Sequence, residues 1–323
     1  MEKKYFSKLG LMYFLGTICV YAAQILVIMI VQAVAPQLME NYDMSVIVSM
    51  LPMYLIGYPI MIALIRRIPV DQAMSEKKKM TVGQWLVAFF MSYSLVYIMG
   101  IISNITTTII GTLKQSAVQN TVLDMTTGMS PALTFVVMVI AAPIMEEYIF
   151  RKLLIDRAAK YGEVLAIVLS GTMFGLFHGN LNQFMFTFVM GCFYGFIYTR
   201  TRNVIHTILL HMLNNFMSSM LSILVLEKSG MLEIVNAATQ EEMVHLVMEN
   251  LSGAAIYYGY VFCLLVIAFA GIILLILKRK KFYVNHTEEE LPKGKRFITV
   301  TFNVGMLLFI VFHIVQIVRQ LFL

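Results

Sequence analysis

Charged residues are scarce in this chain. Of its 323 residues, 13% are charged and 59% are apolar, and the mean hydropathy is +0.80. Soluble globular domains carry about 25% charged residues, so this composition excludes that class. Apolar runs approaching the roughly 20 residues that cross a bilayer recur along the chain. We place nine of them at 11–34, 45–65, 82–103, 131–150, 163–178, 182–199, 203–226, 254–277 and 297–320.

Cysteine is also rare, and its spacing excludes two kinds of site. The three cysteines, Cys19, Cys192 and Cys263, each lie inside an apolar run, and none belongs to a CxxC motif. Nothing therefore indicates disulfides or a thiolate metal site.

No internal repeat stands out in the sequence, which argues against the transporters that are built from repeats. The chain is predicted to be all-α, a polytopic transmembrane helix bundle of about nine spans, with eight possible.

Basic residues outnumber acidic ones by 24 to 18, giving a net charge of +6. They are scattered over five loops rather than gathered on one face, so we predict contact with an anionic lipid bilayer and no binding of nucleic acid. If the N-terminus is cytoplasmic, nine spans place 21 of the 24 basic residues on that side, as the positive-inside rule requires. We expect a multi-pass protein of a prokaryotic plasma membrane in that orientation.

The distribution of polar groups divides the chain into three parts. Residues 1–130 hold the first three spans and a long outer segment, in which Ile105 to Leu113 either prolongs the third helix or lies at the interface. Residues 131–226 form spans 4 to 7 and carry polar side chains inside each of them. Residues 227–323 comprise an acidic outer segment, with an amphipathic helix predicted around 240–251, and two C-terminal helices.

Three ionisable side chains lie within six positions of the fourth span. Each costs at least roughly 2.5 kcal/mol in the middle of a membrane helix, so each requires a partner or a purpose. Glu147 and Arg151 are four residues apart on one helix face and can form an ion pair. Glu146 is turned about 100° away and lacks that partner. Pro143 removes a backbone donor nearby, and broken backbone in a membrane usually lines a cavity.

Histidine and asparagine side chains follow in the next spans. His178 ends the fifth span, while His211 and Asn215 are four apart and share one face of the seventh. A carboxylate in an apolar pocket is a stronger base than in water, which suits Glu146 to activating a water molecule. A histidine could share the proton, and N–H donors could hold a developing oxyanion, a contribution of roughly 3–4 kcal/mol per donor. Together these groups predict a site for peptide hydrolysis.

Glycines in spans 5 and 6 predict how two of these helices pack. Gly171 and Gly175 are four residues apart in the fifth span, and Gly191 and Gly195 repeat that spacing in the sixth. Such faces of small residues let another helix approach closely.

The motifs Glu146-Glu147-x-x-x-Arg151, Phe174-x-x-x-His178 and His211-x-x-x-Asn215, in this order on successive spans, resemble the CPBP family of intramembrane proteases. That family includes the CAAX prenyl endopeptidases and the Abi bacteriocin-immunity proteins. The resemblance covers about residues 131–226 and implies an intramembrane endopeptidase. It implies these roles: Glu146 activates water, His178 is its partner, His211 and Asn215 lie on the oxyanion side, and Glu147, Arg151 and Phe174 orient the site.

The resemblance leaves the cofactor and substrate open. The family is described both as metal-dependent and as a glutamate protease. Glu146, Glu147, His178 and His211 are ligands of the right kind for Zn²⁺, with Glu146, His178 and His211 the set if the protein needs zinc. No HExxH helix fixes two ligands together, so we favour water activation by Glu146. The substrate is expected to be a membrane-associated peptide or lipidated protein, of CAAX type or related to pheromones or bacteriocins.

Two other functions fit the same residues. In the first, the Glu147–Arg151 pair and the polar helix contacts are structural, and the chain is a non-catalytic scaffold or bacteriocin-immunity protein. In the second, Glu146 and the histidines relay protons in a proton-coupled transporter. The protease hypothesis carries a geometric requirement, because Glu146 must reach the depth of His178. Either the fourth helix continues to about Lys160, or the fifth helix is tilted or starts deep in the membrane. The sequence leaves the oligomeric state open.

Overall fold

The computed structural model describes residues 1–70, 76–232 and 239–322, and those ranges are helical with no strand. Two short 3₁₀ helices, Pro36–Met39 and Arg279–Lys281, lie in connecting segments. The main helices are α1 (Glu2–Val34), α2 (Tyr42–Arg66), α3 (Val82–Lys114), α4 (Thr121–Gly128), α5 (Pro131–Tyr161), α6 (Glu163–Phe177), α7 (Leu181–Thr201), α8 (Val204–Lys228), α9 (Gln240–Glu249), α10 (Leu251–Leu277), α11 (Lys293–Thr301) and α12 (Val304–Phe322).

Eight of these helices are long and apolar enough to cross a membrane: α1, α2, α3, α5, α7, α8, α10 and α12. This confirms the polytopic helix bundle. The run predicted at 163–178 forms α6, which has only 15 residues and is too short to cross alone. The run at 297–320 is not one helix, because the chain breaks between Thr301 and Val304 and separates amphipathic α11 from α12.

The two segments that we predict to lie on the outer side are partly helical where the structure describes them. Helix α3 extends to Lys114, so the segment 105–113 prolongs the third helix. The short helix α4 then lies close to α2, where the Tyr42 hydroxyl donates to the carbonyl of Asp124 at 3.1 Å. The predicted amphipathic helix is α9, whose first turn is capped by Thr239. Part of the acidic outer segment, residues 233–238, lies outside the described residues.

Helices α6 and α7 pack through their glycines, as the spacing predicted. A Cβ atom on Gly171 would lie 2.8 Å from the carbonyl oxygen of Phe188, and one on Gly191 would lie 2.8 Å from the Cα atom of Gly171. Both distances are shorter than real Cβ contacts. The two backbones therefore approach as closely as they do because neither glycine carries a side chain.

A tight turn at Gly162, with φ of +127°, joins α5 to α6. Glu146 lies 15 residues before Tyr161, and His178 lies 15 residues after Glu163. Since each residue of a helix rises 1.5 Å, both side chains stand about 22 Å from the turn. Of the two ways in which Glu146 and His178 could reach the same depth, the continuation of the fourth span to about Lys160 is confirmed by α5, which ends at Tyr161. The shortness of α6 is what places His178 level with Glu146.

Wide π-helical turns interrupt three of the helices near this level. They are Met53–Gly57 in α2, Phe135–Ala141 and Tyr148–Leu153 in α5, and Phe216–Leu221 in α8. In α5 the first of them ends just before Pro143, which has no N–H to donate. Such turns change the direction of side chains and often occur at functional sites. Here three of them, Met53–Gly57, Phe135–Ala141 and Phe216–Leu221, line one cavity.

Candidate active site

A cavity of about 270 Å³ lies among α2, α4, α5, α7, α8 and the end of α6. All four residues that the sequence singled out for chemistry line it: Glu146, His178, His211 and Asn215. Glu146 comes from the middle of α5, His178 from the end of α6, and the other two from one face of α8. The structure thus brings together groups from three helices that are separated by up to 69 positions in sequence.

The second carboxylate of the pair has a different environment. Glu147 does not line the cavity, and its Oε1 atom accepts a hydrogen bond from Nη2 of Arg151 at 3.0 Å. Both side chains are 0% exposed. Arg151 also donates from Nη1 to the Ser170 hydroxyl, which in turn donates to the carbonyl of Phe150. This buried network joins α5 to α6, and the pairing of Glu147 with Arg151 that the sequence predicted is present.

His211 lies between the two carboxylates. Its Nδ1 atom is 3.0 Å from Oε1 of Glu147, and its Nε2 atom is 3.8 Å from Oε2 of Glu146. Because the Glu147 carboxylate pairs with Arg151, its Oε1 atom accepts a hydrogen bond from the Nδ1–H group of His211. In the neutral imidazole the Nε2 lone pair then faces Glu146. This arrangement suits His211 to exchanging a proton with Glu146, whereas the sequence hypothesis placed it on the oxyanion side.

Phe174 positions both histidines. The Nδ1 atom of His178 is 2.8 Å from the carbonyl oxygen of Phe174, so it donates there and leaves Nε2 unprotonated in the neutral ring. The Phe174 ring meets the rings of His178 and His211 edge to face, at centroid distances of 4.8 and 6.0 Å. The Arg151 guanidinium lies 4.4 Å from the centroid of the same ring. Phe174 therefore contacts both imidazoles and the Arg151 guanidinium.

Asn215 ties α8 to the widened part of α5. Its Nδ2 atom donates to the carbonyl oxygen of Met138 at 2.8 Å. Met138 belongs to the π-helical turn before Pro143, where the backbone pattern is broken. One of the two Asn215 N–H groups is thus used structurally, and one remains for a ligand in the cavity.

Residues outside 131–226 also line the cavity, and the sequence reasoning missed them. Helix α2 contributes Met50, Met53, Tyr54 and Tyr58, and α4 contributes Thr121, Val122 and Met125. A signal was present, since Pro52 and Pro59 interrupt the α2 span just as Pro143 interrupts α5. Five of the lining residues are methionines: Met50, Met53, Met125, Met138 and Met190.

The arrangement of the ligand candidates does not fit zinc. Across residues 1–70, 76–232 and 239–322, no group of three or more His, Cys, Asp or Glu side chains is placed so that it could hold a metal ion. The Nδ1 atoms of His178 and His211 are both taken by protein acceptors. The predicted zinc set of Glu146, His178 and His211 therefore lines one cavity without forming a ligand cluster.

Two comparisons with known proteins match the central part of the chain. Residues 128–217 match the family model described as Type II CAAX prenyl endopeptidase Rce1-like. A curated protein of Bacillus subtilis (strain 168), named "Putative membrane peptidase YdiL", is 27% identical over 160 residues, which are 48% of this chain and 64% of that relative. The matched part of the chain thus spans less than two thirds of the relative's length. No solved structure matches the chain.

Proposed function

We propose that this chain, which belongs to the CPBP family of intramembrane proteases, hydrolyses a peptide bond in the cavity around Glu146. The observation that carries the proposal is a carboxylate at the middle of a 31-residue apolar helix, facing a cavity and lying 3.8 Å from an imidazole nitrogen. An ionisable group at that depth is costly and usually marks a functional site. Its neighbour Glu147 already pairs with Arg151, so the ion pair does not account for Glu146.

The chemistry follows from the positions of the protons. Glu146 takes a proton from a water molecule in the cavity, and the hydroxide oxygen bonds to the carbonyl carbon of the substrate. His211, oriented by Glu147, shares that proton through Nε2. As the carbon–nitrogen bond breaks, the proton taken up by Glu146 passes to the nitrogen of the leaving amine. The other product is a carboxylic acid, which then releases the second proton of the water to become a carboxylate. Each of these transfers uses groups that lie around one cavity.

The proposed substrate is an apolar peptide segment that enters from the membrane. Methionines and aromatic rings make up much of the cavity lining, and methionine adapts its shape to varied apolar partners. This lining suits a lipidated peptide of CAAX type or a transmembrane segment of a pheromone or bacteriocin precursor. Which of these is cleaved is decided by presenting each one to the same preparation.

The test is cleavage by the purified full-length protein in detergent. We would offer two fluorescence-quenched peptides, one farnesylated at a C-terminal CAAX motif and one an apolar transmembrane sequence. Glu146→Gln is expected to lower kcat by about 10²- to 10⁴-fold, because a general base contributes that much. His178→Ala and His211→Ala are expected to lower it as well. Assays with and without a chelator distinguish the metal-dependent type from the glutamate type.

The matched control is Glu249→Gln, which neutralises a glutamate that is 64% exposed in α9, far along the chain from the cavity. It is expected to leave cleavage unchanged. Cleavage that survives in Glu146→Gln at the wild-type rate would contradict the proposal. Absence of cleavage in the wild type, together with proton-dependent substrate flux into vesicles, would instead support the transporter.

A further inference from the structure

Hydrolysis in this cavity requires hydrogen-bond donors for the oxyanion, and most of the donors there are already used. The Nδ1–H group of His178 donates a hydrogen bond to the carbonyl oxygen of Phe174, and that of His211 donates to the carboxylate of Glu147. The hydroxyl groups of the lining residues Thr187, Ser218 and Ser219 donate to backbone carbonyls of their own helices. The histidine that the sequence hypothesis assigned to the oxyanion therefore has no free N–H in its neutral form. Asn215 and Gln183 each keep an amide N–H.

Two tyrosines on α2, Tyr54 and Tyr58, line the same cavity. In the part of the chain that the structure describes, neither Tyr54 nor Tyr58 donates a hydrogen bond from its hydroxyl group. Tyr58 is only 3% exposed. A buried phenolic O–H normally has a partner, so an unused one beside a cavity points to a ligand.

The packing of the two tyrosines holds them near the reacting groups. Their rings meet edge to face at a centroid distance of 5.5 Å. The Tyr58 ring also lies 6.3 Å from the ring of Phe177, the residue that precedes His178. Both tyrosines line the cavity that Glu146 also lines. The π-helical turn Met53–Gly57 lies between Pro52 and Tyr58 and includes Tyr54, so the broken stretch of α2 is also the stretch that presents these hydroxyls.

We propose that the hydroxyl groups of Tyr54 and Tyr58 donate hydrogen bonds to the oxyanion that forms during peptide hydrolysis, an inference that rests on the function proposed above. When the hydroxide oxygen bonds to the carbonyl carbon, the π electrons of the carbonyl move to its oxygen, and the tyrosine O–H groups stabilise that charge without transferring a proton. When the carbon–nitrogen bond breaks, the electrons return. Both residues would then be catalytic, although they lie outside the matched residues 128–217.

The test is steady-state kinetics of Tyr58→Phe, Tyr54→Phe and the double variant on the quenched peptides described above. Removing one oxyanion donor lowers kcat by about 10²- to 10³-fold. We expect that loss for Tyr58→Phe, a further loss in the double variant, and a KM within about threefold of wild type. A purely structural tyrosine would instead lower the melting temperature and leave kcat unchanged.

Tyr93→Phe is the matched control, because Tyr93 in α3 is also 3% exposed and does not line the cavity. It is expected to retain the wild-type kcat. Cleavage that depends on Glu146 but stays within about threefold of wild type in both single variants and the double variant would overturn this inference alone. A wild-type protein that cleaves neither peptide would overturn the proposed function and this inference with it.

Discussion

Two groups of helices form the cavity, and they contribute different things. Helices α5 to α8 supply the ionisable groups, Glu146 and the two histidines, together with the buried Glu147–Arg151 pair. Helices α2 and α4 supply apolar walls and hydroxyl groups and no charge. The family match at residues 128–217 covers most of the first group and none of α2 or α4.

The difference shows that the acid–base groups and the binding surface are separate parts of the molecule. The ionisable groups are held by short, fully buried contacts, such as Arg151 to Glu147 at 3.0 Å. The α2 side is held by apolar packing, as where a Cβ on Gly57 would lie 2.8 Å from the Cα of Val20 in α1. Substitutions in the first group should therefore change stability and chemistry strongly. Those in the second should change substrate binding, with the tyrosines as the exception that we propose.

The largest loss of stability is expected for Arg151→Met. It leaves the Glu147 carboxylate buried without its cation, which costs about 3–5 kcal/mol in the free energy of unfolding. The double variant Glu147→Gln with Arg151→Met removes both charges and should recover part of that loss. Unfolding by denaturant in detergent measures both. A single variant as stable as the wild type would show that the Glu147–Arg151 pair does not stabilise the fold.

A smaller loss, of about 1–3 kcal/mol, is expected for Gly171→Leu, because the added side chain meets the carbonyl of Phe188 and separates α6 from α7. Since α6 carries His178 at its end, kcat should fall too. The matched control is Gly100→Leu in α3, where a Cβ atom would meet nothing within 4 Å. Equal melting temperatures for the two variants would contradict the packing that we describe.

The sequence allowed the charged part of the site to be predicted and concealed the rest. Glu146, His178 and His211 are conspicuous because polar groups inside apolar spans are costly. Tyr54 and Tyr58 are not, since tyrosine in such a span is ordinary and only the backbone geometry of α2 turns them to the cavity. The hydrogen bonds of His178 and Asn215 could not be predicted either, because their partners are backbone carbonyl oxygens, which residue types do not reveal.

A change in substrate affinity alone is expected for Met53→Ala on the α2 side. Losing most of one apolar side chain from the wall costs roughly 1 kcal/mol of binding in both the ground state and the transition state. KM should therefore rise by about fivefold while kcat stays the same. Met29→Ala, at a position 61% exposed on α1, is the control. If kcat fell as far as in Glu146→Gln, the separation of walls from chemistry would be wrong.

The smallest expected effect is on stability, and it concerns the turn at Gly162 that joins α5 to α6. The loop before α11 lies against Gly162, and the N–H of Leu291 donates to the carbonyl of Tyr161 at 3.0 Å. In that loop the Glu290 carboxylate accepts hydrogen bonds from His286 and Arg296. The hydrogen bond from His286, more than any other contact, lowers the pKa of Glu290 below its ordinary value of 4.5.

A carboxylate with a lowered pKa contributes stability that is present above pH 4.5 and is lost as the pH falls through the lowered value. The melting temperature of wild type should therefore exceed that of Glu290→Gln at pH 7, and the gap should narrow progressively below pH 4.5. Glu288→Gln, an exposed neighbour in the same loop, should show no such gap. A gap that stays constant down to pH 3 would mean that Glu290 supports the α5–α6 turn by packing rather than by its charge.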